Sequence, residues 1–162
     1  MQILNVLDYK DLILTFIGII GGFILSELTS YYKEHKRRKR LKVYFSKYEG
    51  TYSVTRKDNT KTPILSIKIS YHRNNLLKVH FFIENENDAE GNLIMDESTL
   101  MYGTLFYHHI KPEYRNLSGF YDVMFIDENE IHARQSYISS KTGGEVLGHF
   151  IWKKIITTAN TR

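Results

Sequence analysis

Two hydrophobic periods divide this chain. From Leu12 to Ser26 (LILTFIGIIGGFILS) nearly every position is apolar or small and none is charged. From Tyr48 onward apolar and polar residues alternate with period two, and Tyr, Phe, Val, Ile and Thr dominate. The first pattern predicts a helix buried on all sides or facing lipid; the second predicts half-buried β-strands. Candidate strands are Gly50–Lys57, Ile64–His72, Leu76–Glu84, Leu93–Tyr107, Gly119–Ile126, Glu130–Ile138 and Glu145–Ile155. The longest reads as two strands or as one bent at Gly103. Turn chemistry separates them: Lys57-Asp58-Asn59-Thr60, Arg73-Asn74-Asn75, Asn87-Asp88-Ala89-Glu90-Gly91-Asn92, Asp127-Glu128-Asn129 and Lys141-Thr142-Gly143-Gly144. Short connections imply an antiparallel meander. The expected fold is all-β: a single N-terminal transmembrane helix, then a small up-and-down antiparallel β-barrel of about 7–8 strands. A sandwich is the alternative, and closure is preferred because it removes exposed edges.

Strand parity sorts the faces, since residues i and i+2 share one side. Leu65, Ile67, Ile69 and Tyr71 go together, with Arg73 next on that face. Leu77, Val79, Phe81 and Ile83 form another set, as do Tyr121, Val123 and Phe125, and Phe150 with Trp152. Tyr52 and Val54 lie with Arg56. The expected interior is aromatic, with two cations near strand ends. Gly50-Thr-Tyr52, Gly119-Phe-Tyr121 and Gly148-His-Phe150 each place an aromatic residue two positions after a glycine, and Gly103-Thr-Leu105 nearly matches. In a tightly curved sheet the ring fills the space that glycine leaves.

Charge changes the reading of the N-terminal segment. The chain has 22 basic and 18 acidic residues, net +4, with no cysteine. Residues 33–47 hold eight basic residues against Glu34, and residues 48–162 are almost neutral. A globally basic, nucleic-acid-binding domain is therefore not indicated, and no DNA or RNA polymer is expected as partner. The absence of cysteine excludes disulfides and thiolate metal sites. A secretory signal peptide carries its positive charge before the apolar run, and here the charge follows it. A helix buried in a soluble domain is the bland alternative, because fifteen residues from Leu12 to Ser26 span only about 22 Å. Extension to Tyr32 gives about 31 Å, enough for a bilayer core, with Glu27 the single charge and Tyr31 and Tyr32 at the interface. A single-pass signal anchor fits best. The chain then divides into a short extracytoplasmic N-terminus (1–11), a transmembrane helix (12–32), a basic connector that continues the helix (33–47), a β-domain (48–156) and a tail (157–162). The positive-inside rule puts the β-domain in the cytoplasm. The basic run also favours anionic membrane lipids. Gly18, Gly22 and Ser26 recur at four-residue spacing, a small-residue stripe that lets membrane helices associate.

Catalytic chemistry is not legible. The seven histidines are scattered, and His108 and His109 are adjacent on a strand and so face opposite ways. No metalloprotease, nucleophile-elbow, P-loop or dinucleotide motif occurs. No enzyme activity, metal or cofactor is expected.

A membrane anchor, a basic connector and a compact Tyr-rich β-domain opening on Tyr48-Glu-Gly50-Thr-Tyr52 resemble the membrane-anchored β-barrel effectors of CBASS, the bacterial antiphage systems built on cyclic-oligonucleotide signalling. Gly50-Thr-Tyr52 also looks like the Gly-x-Trp start of lipocalin-like barrels. Such effectors usually carry two membrane helices, and this sequence shows one apolar segment. The resemblance implies a protein of the bacterial inner membrane whose barrel binds a cyclic dinucleotide, whereupon the chains form a homo-oligomer and compromise the membrane. On that expectation Arg56 or Arg73 pairs with phosphate, Tyr52, Tyr71, Tyr121 or Trp152 stacks on bases, and the Gly18/Gly22/Ser26 face carries clustering. A tethered carrier of an apolar ligand and an anchored interaction module without ligand are the other readings.

Overall fold

The computed structural model describes residues 9–112, 118–138 and 145–156. It contains one long helix, α1 (Tyr9–Ser46), and eight strands: β1 (Gly50–Arg56), β2 (Leu65–Arg73), β3 (Leu76–Ile83), β4 (Glu86–Met95), β5 (Tyr102–His109), β6 (Ser118–Phe125), β7 (Glu130–Ile138) and β8 (Glu145–Lys154). The predicted turn at 141–144 and the tail lie outside the described residues. The chain divides into a helical unit ending at Arg40 and a β unit beginning at Leu41.

In the helical unit, α1 is long and apolar enough near the N-terminus to cross a membrane, and its side chains there are unburied. Two hydroxyls in this segment are satisfied within the helix: Thr15 donates to the Asp11 carbonyl and Thr29 to that of Leu25, each at 2.7 Å. The helix continues through the basic run. Glu34 accepts from Arg38 and Arg37, each at 2.8 Å, and those two guanidinium groups hold its carboxyl below the usual range.

The β unit is a closed barrel in sequence order, each strand antiparallel to the next and β8 pairing back to β1. Neighbouring strands follow one another in chain order all the way round, so the meander inferred from turn spacing closes without a crossover. Two predicted boundaries move. The stretch 87–92 is strand, not turn, and the β3–β4 reversal is only Glu84-Asn85, both at positive φ (52° and 68°). Two successive left-handed residues match the twist of a tight hairpin, which lets pairing begin at Ile83↔Glu86. The break in the longest predicted strand falls at Asp96–Met101 instead of Gly103. There the Asp96 carboxylate accepts from the Ser98 amide and hydroxyl at 2.8 Å.

The last turns of α1 belong to the barrel. Leu41 and Phe45, four residues apart and so on one helix face, are buried with Tyr48 among Val54, Ile67, Leu77, Met95, Phe125 and Ile131. Tyr48 stacks on Phe125 with centroids 4.1 Å apart. The barrel also holds the residues just past the helix: Lys154 Nζ donates to the Lys47 carbonyl at 2.8 Å and Tyr52 OH to that of Tyr48 at 2.7 Å. One pole of the barrel, where β1 begins and β8 ends, is thereby plugged by apolar side chains.

Candidate functional site

Register places the six predicted ligand residues at different depths. Tyr52, Tyr121 and Trp152 are buried in the core. Tyr52 is committed to the Tyr48 carbonyl. Its phenol is held neutral to unusually high pH by burial first and by Asp127 and Glu128 second. Tyr121 meets Trp152 and Phe150 edge-on, each at 5.8 Å. The Trp152 Nε1 is buried with no hydrogen-bond partner among the described residues. Tyr71 is half-buried near the plugged pole, and its backbone amide donates to the Glu49 carboxylate at 2.6 Å. Arg73 follows a register shift after Tyr71, which takes it off the inward parity of Ile67 and Ile69, and it is exposed. Arg56 is at the opposite end of the barrel, paired with Phe150 of β8. The two arginines therefore do not converge, and no single pocket unites the six.

The opposite pole is built differently. A cleft of about 520 Å³ opens there, lined by Arg56, Lys57 and Asp58 at the end of β1, Gln135 of β7, and Gly148, His149 and Phe150 of β8. Two glycines shape it. A Cβ on Gly148 would stand 2.6 Å from the Phe150 ring, so the ring lies over Gly148 as the Gly-x-aromatic spacing predicts. At Gly119 the ring overhead is not that of Tyr121 but of its cross-strand partner Tyr107, whose OH would be 2.6 Å from an added Cβ. Tyr107 thus reaches across β6 to β7, where its OH accepts from Gln135 Nε2 at 2.6 Å. Farther round the rim, His109 Nδ1 lies 3.0 Å from Asp88 Oδ2, and Asp88 is buried at a register shift in β4.

Comparison with protein-family models, curated proteins and solved structures finds no match. Function must therefore be read from the site's own chemistry. The cleft offers two cations against one carboxylate, an amide fixed by Tyr107 and an aromatic ring. A volume of 520 Å³ falls within the usual range for small-molecule sites. Phosphate or carboxylate beside a planar ring is the ligand chemistry that such a set serves. Among the described residues no group of three or more metal-ligating side chains is arranged to hold a metal ion.

Parity was available for the residues that the sequence reading passed over. His109 shares the inward face with Leu105 and Tyr107, and Gln135 shares it with Ile131 and Ala133. Asp88 had no such signal, because its position depends on the register shift.

Proposed function

We propose that this chain is a membrane-anchored effector whose β-barrel takes a cyclic dinucleotide at its open mouth. The observation that carries this reading is the cleft itself: Arg56 and Phe150 face one 520 Å³ hollow at the pole opposite the helix plug. In this reading Arg56 and Lys57 pair with a phosphate, Phe150 stacks on a base and Gln135 reads a base edge. The anchor is α1, set in a bacterial inner membrane with the barrel on the cytoplasmic side. Ligand binding promotes association through the Gly18/Gly22/Ser26 face, and clustered helices breach the bilayer. The apolar-carrier reading loses support because Phe81, Tyr121 and Trp152 are buried and meet ring to ring inside the barrel. That same aromatic interior suits an anchored interaction module without ligand, which is the second reading.

Binding to the full chain in nanodiscs separates the two. Calorimetry against cyclic di-GMP, cyclic di-AMP and cyclic GMP-AMP is expected to find at least one ligand. For that ligand Arg56→Met removes a charge-assisted hydrogen bond worth about 1.5–3 kcal/mol, a loss of affinity of roughly tenfold to a hundredfold. Arg56 forms no ion pair among the described residues, so the substitution leaves folding intact. No binding by any of the three ligands, or equal binding by Arg56→Met, would reject the reading.

A further inference from the structure

We propose that the backbone edge of β8 at Leu147–His149 reads a nucleobase in the mouth cleft, a role that rests on the nucleotide reading of that cleft. The barrel wall parts there. β7 and β8 stay paired as far as Ile138↔Glu145, whereas β1 leaves β8 after Arg56↔Phe150. The last bond between them runs from the Lys57 amide to the His149 carbonyl at 2.9 Å. The chain then turns back, and the Asn59 amide donates to the Arg56 carbonyl at 3.1 Å. Beyond that turn β8 has a neighbouring strand on one side only, among the described residues.

Alternation decides which groups the gap leaves over. In an antiparallel ladder the N–H and C=O of one residue point to the same neighbour, and those of the next residue point to the other. The His149 carbonyl points toward β1, so the His149 N–H and both backbone groups of Leu147 point that way too. Gly148 and Phe150 instead face Gln135 and Ala133 of β7. Neither the His149 N–H nor the Leu147 carbonyl has a partner among the described residues.

The cleft lies in front of these two groups. Leu147, Gly148 and His149 line one bank, and Arg56, Lys57 and Asp58 line the other. On an extended strand the carbonyl of residue i and the N–H of residue i+2 stand side by side. An acceptor beside a donor is the complement of the Watson–Crick edge of adenine or guanine, each of which sets a donor beside an acceptor. A base edge satisfies both backbone groups at once, and unmade hydrogen bonds in a walled cleft are costly. Arg56 and Lys57 on the facing bank take the phosphate, so one nucleotide spans the 520 Å³ hollow. Because main-chain atoms do this reading, no side-chain motif announces it.

Proline tests the edge, because it deletes one N–H and, at an unpaired position, breaks no ladder bond. The full chain in nanodiscs is titrated by calorimetry with cyclic di-GMP, cyclic di-AMP and cyclic GMP-AMP. For a ligand that binds, His149→Pro is expected to bind at least about tenfold more weakly than His149→Ala, which loses the same imidazole and keeps the N–H. Fluorescence of Trp152, buried in the barrel, checks that both variants are folded. Amide exchange by NMR on the unsubstituted chain gives a second readout that needs no variant to fold. The His149 amide is expected to exchange fast without ligand and at least about tenfold more slowly with it, while the Phe150 amide, laddered to β7, is slow in both states. Equal affinity of the two variants, or a His149 amide whose exchange the bound ligand leaves unchanged, would overturn the edge and keep the cleft. Binding of none of the three nucleotides by the unsubstituted chain would reject the cleft and the edge together.

Discussion

Phe45→Ala tests whether the end of α1 is part of the barrel. Phe45 is 0% exposed and packs with Leu41 and Tyr48 inside the barrel's closed pole, while Val43, two residues earlier on the same helix, is 71% exposed. Truncating a buried phenylalanine costs about 3–5 kcal/mol, from lost transfer energy and the cavity left behind. A unit of roughly 120 residues then melts about 12–20 °C lower. Val43→Ala changes an exposed helical position and is expected to stay within about 0.5 kcal/mol of the parent. The chain's single tryptophan, Trp152, is buried in the barrel and reports its unfolding without a label. Thermal and urea melts of the full chain in one detergent, followed by that fluorescence, compare the two variants. Equal midpoints for Phe45→Ala and Val43→Ala would refute the plug: the helix end would then be a connector resting outside the core.

Alkaline pH is expected to weaken the barrel above about pH 10. Burial raises the phenols of Tyr52 and Tyr48 above their ordinary value. The unfolded chain therefore loses protons that the folded state retains, and stability present below the unfolded pKa is lost as pH rises. Tyr52→Phe should reduce the slope of stability against pH above 10, and an unchanged slope would reject that origin. In the helix, a Cβ at Gly18 or Gly22 meets nothing within 4 Å in the chain itself. Gly18→Ile with Gly22→Ile should therefore leave helicity intact while lowering association in bilayers, and undiminished association would remove the stripe from the mechanism.

Much of the fold was legible because β-structure with one buried face writes itself in period two. From the sets read by alternation, Ile67, Ile69, Leu77, Val79, Phe81, Tyr121, Val123 and Phe125 are core, Leu65 and Tyr71 are half-buried, and Ile83, at the end of β3, is exposed. The Gly148–Phe150 contact followed from spacing as well, since both partners lie on one strand. What involved two strands was less accessible. Gly119 packs under Tyr107, twelve residues upstream in the chain, because register makes them neighbours. The candidate site shows the same divide. Arg56 and Arg73 look equivalent in sequence, each ending an inward-facing set. Only the direction of β1 and β2 puts them at opposite poles, and only the shift after Tyr71 turns Arg73 off the inward parity.

By itself the sequence determined the apolar N-terminal helix, the local basic run that follows it and the antiparallel strands, since each depends on local composition or on a period along one segment, whereas closure rests on the pairing of β1 with β8. The tertiary structure decided which pole takes the end of the helix and which of the described residues line the cleft at the other. Those features depend on register between strands and on the helix end entering the barrel. Such contacts join residues as far apart as Lys47 and Lys154, and no local pattern encodes them.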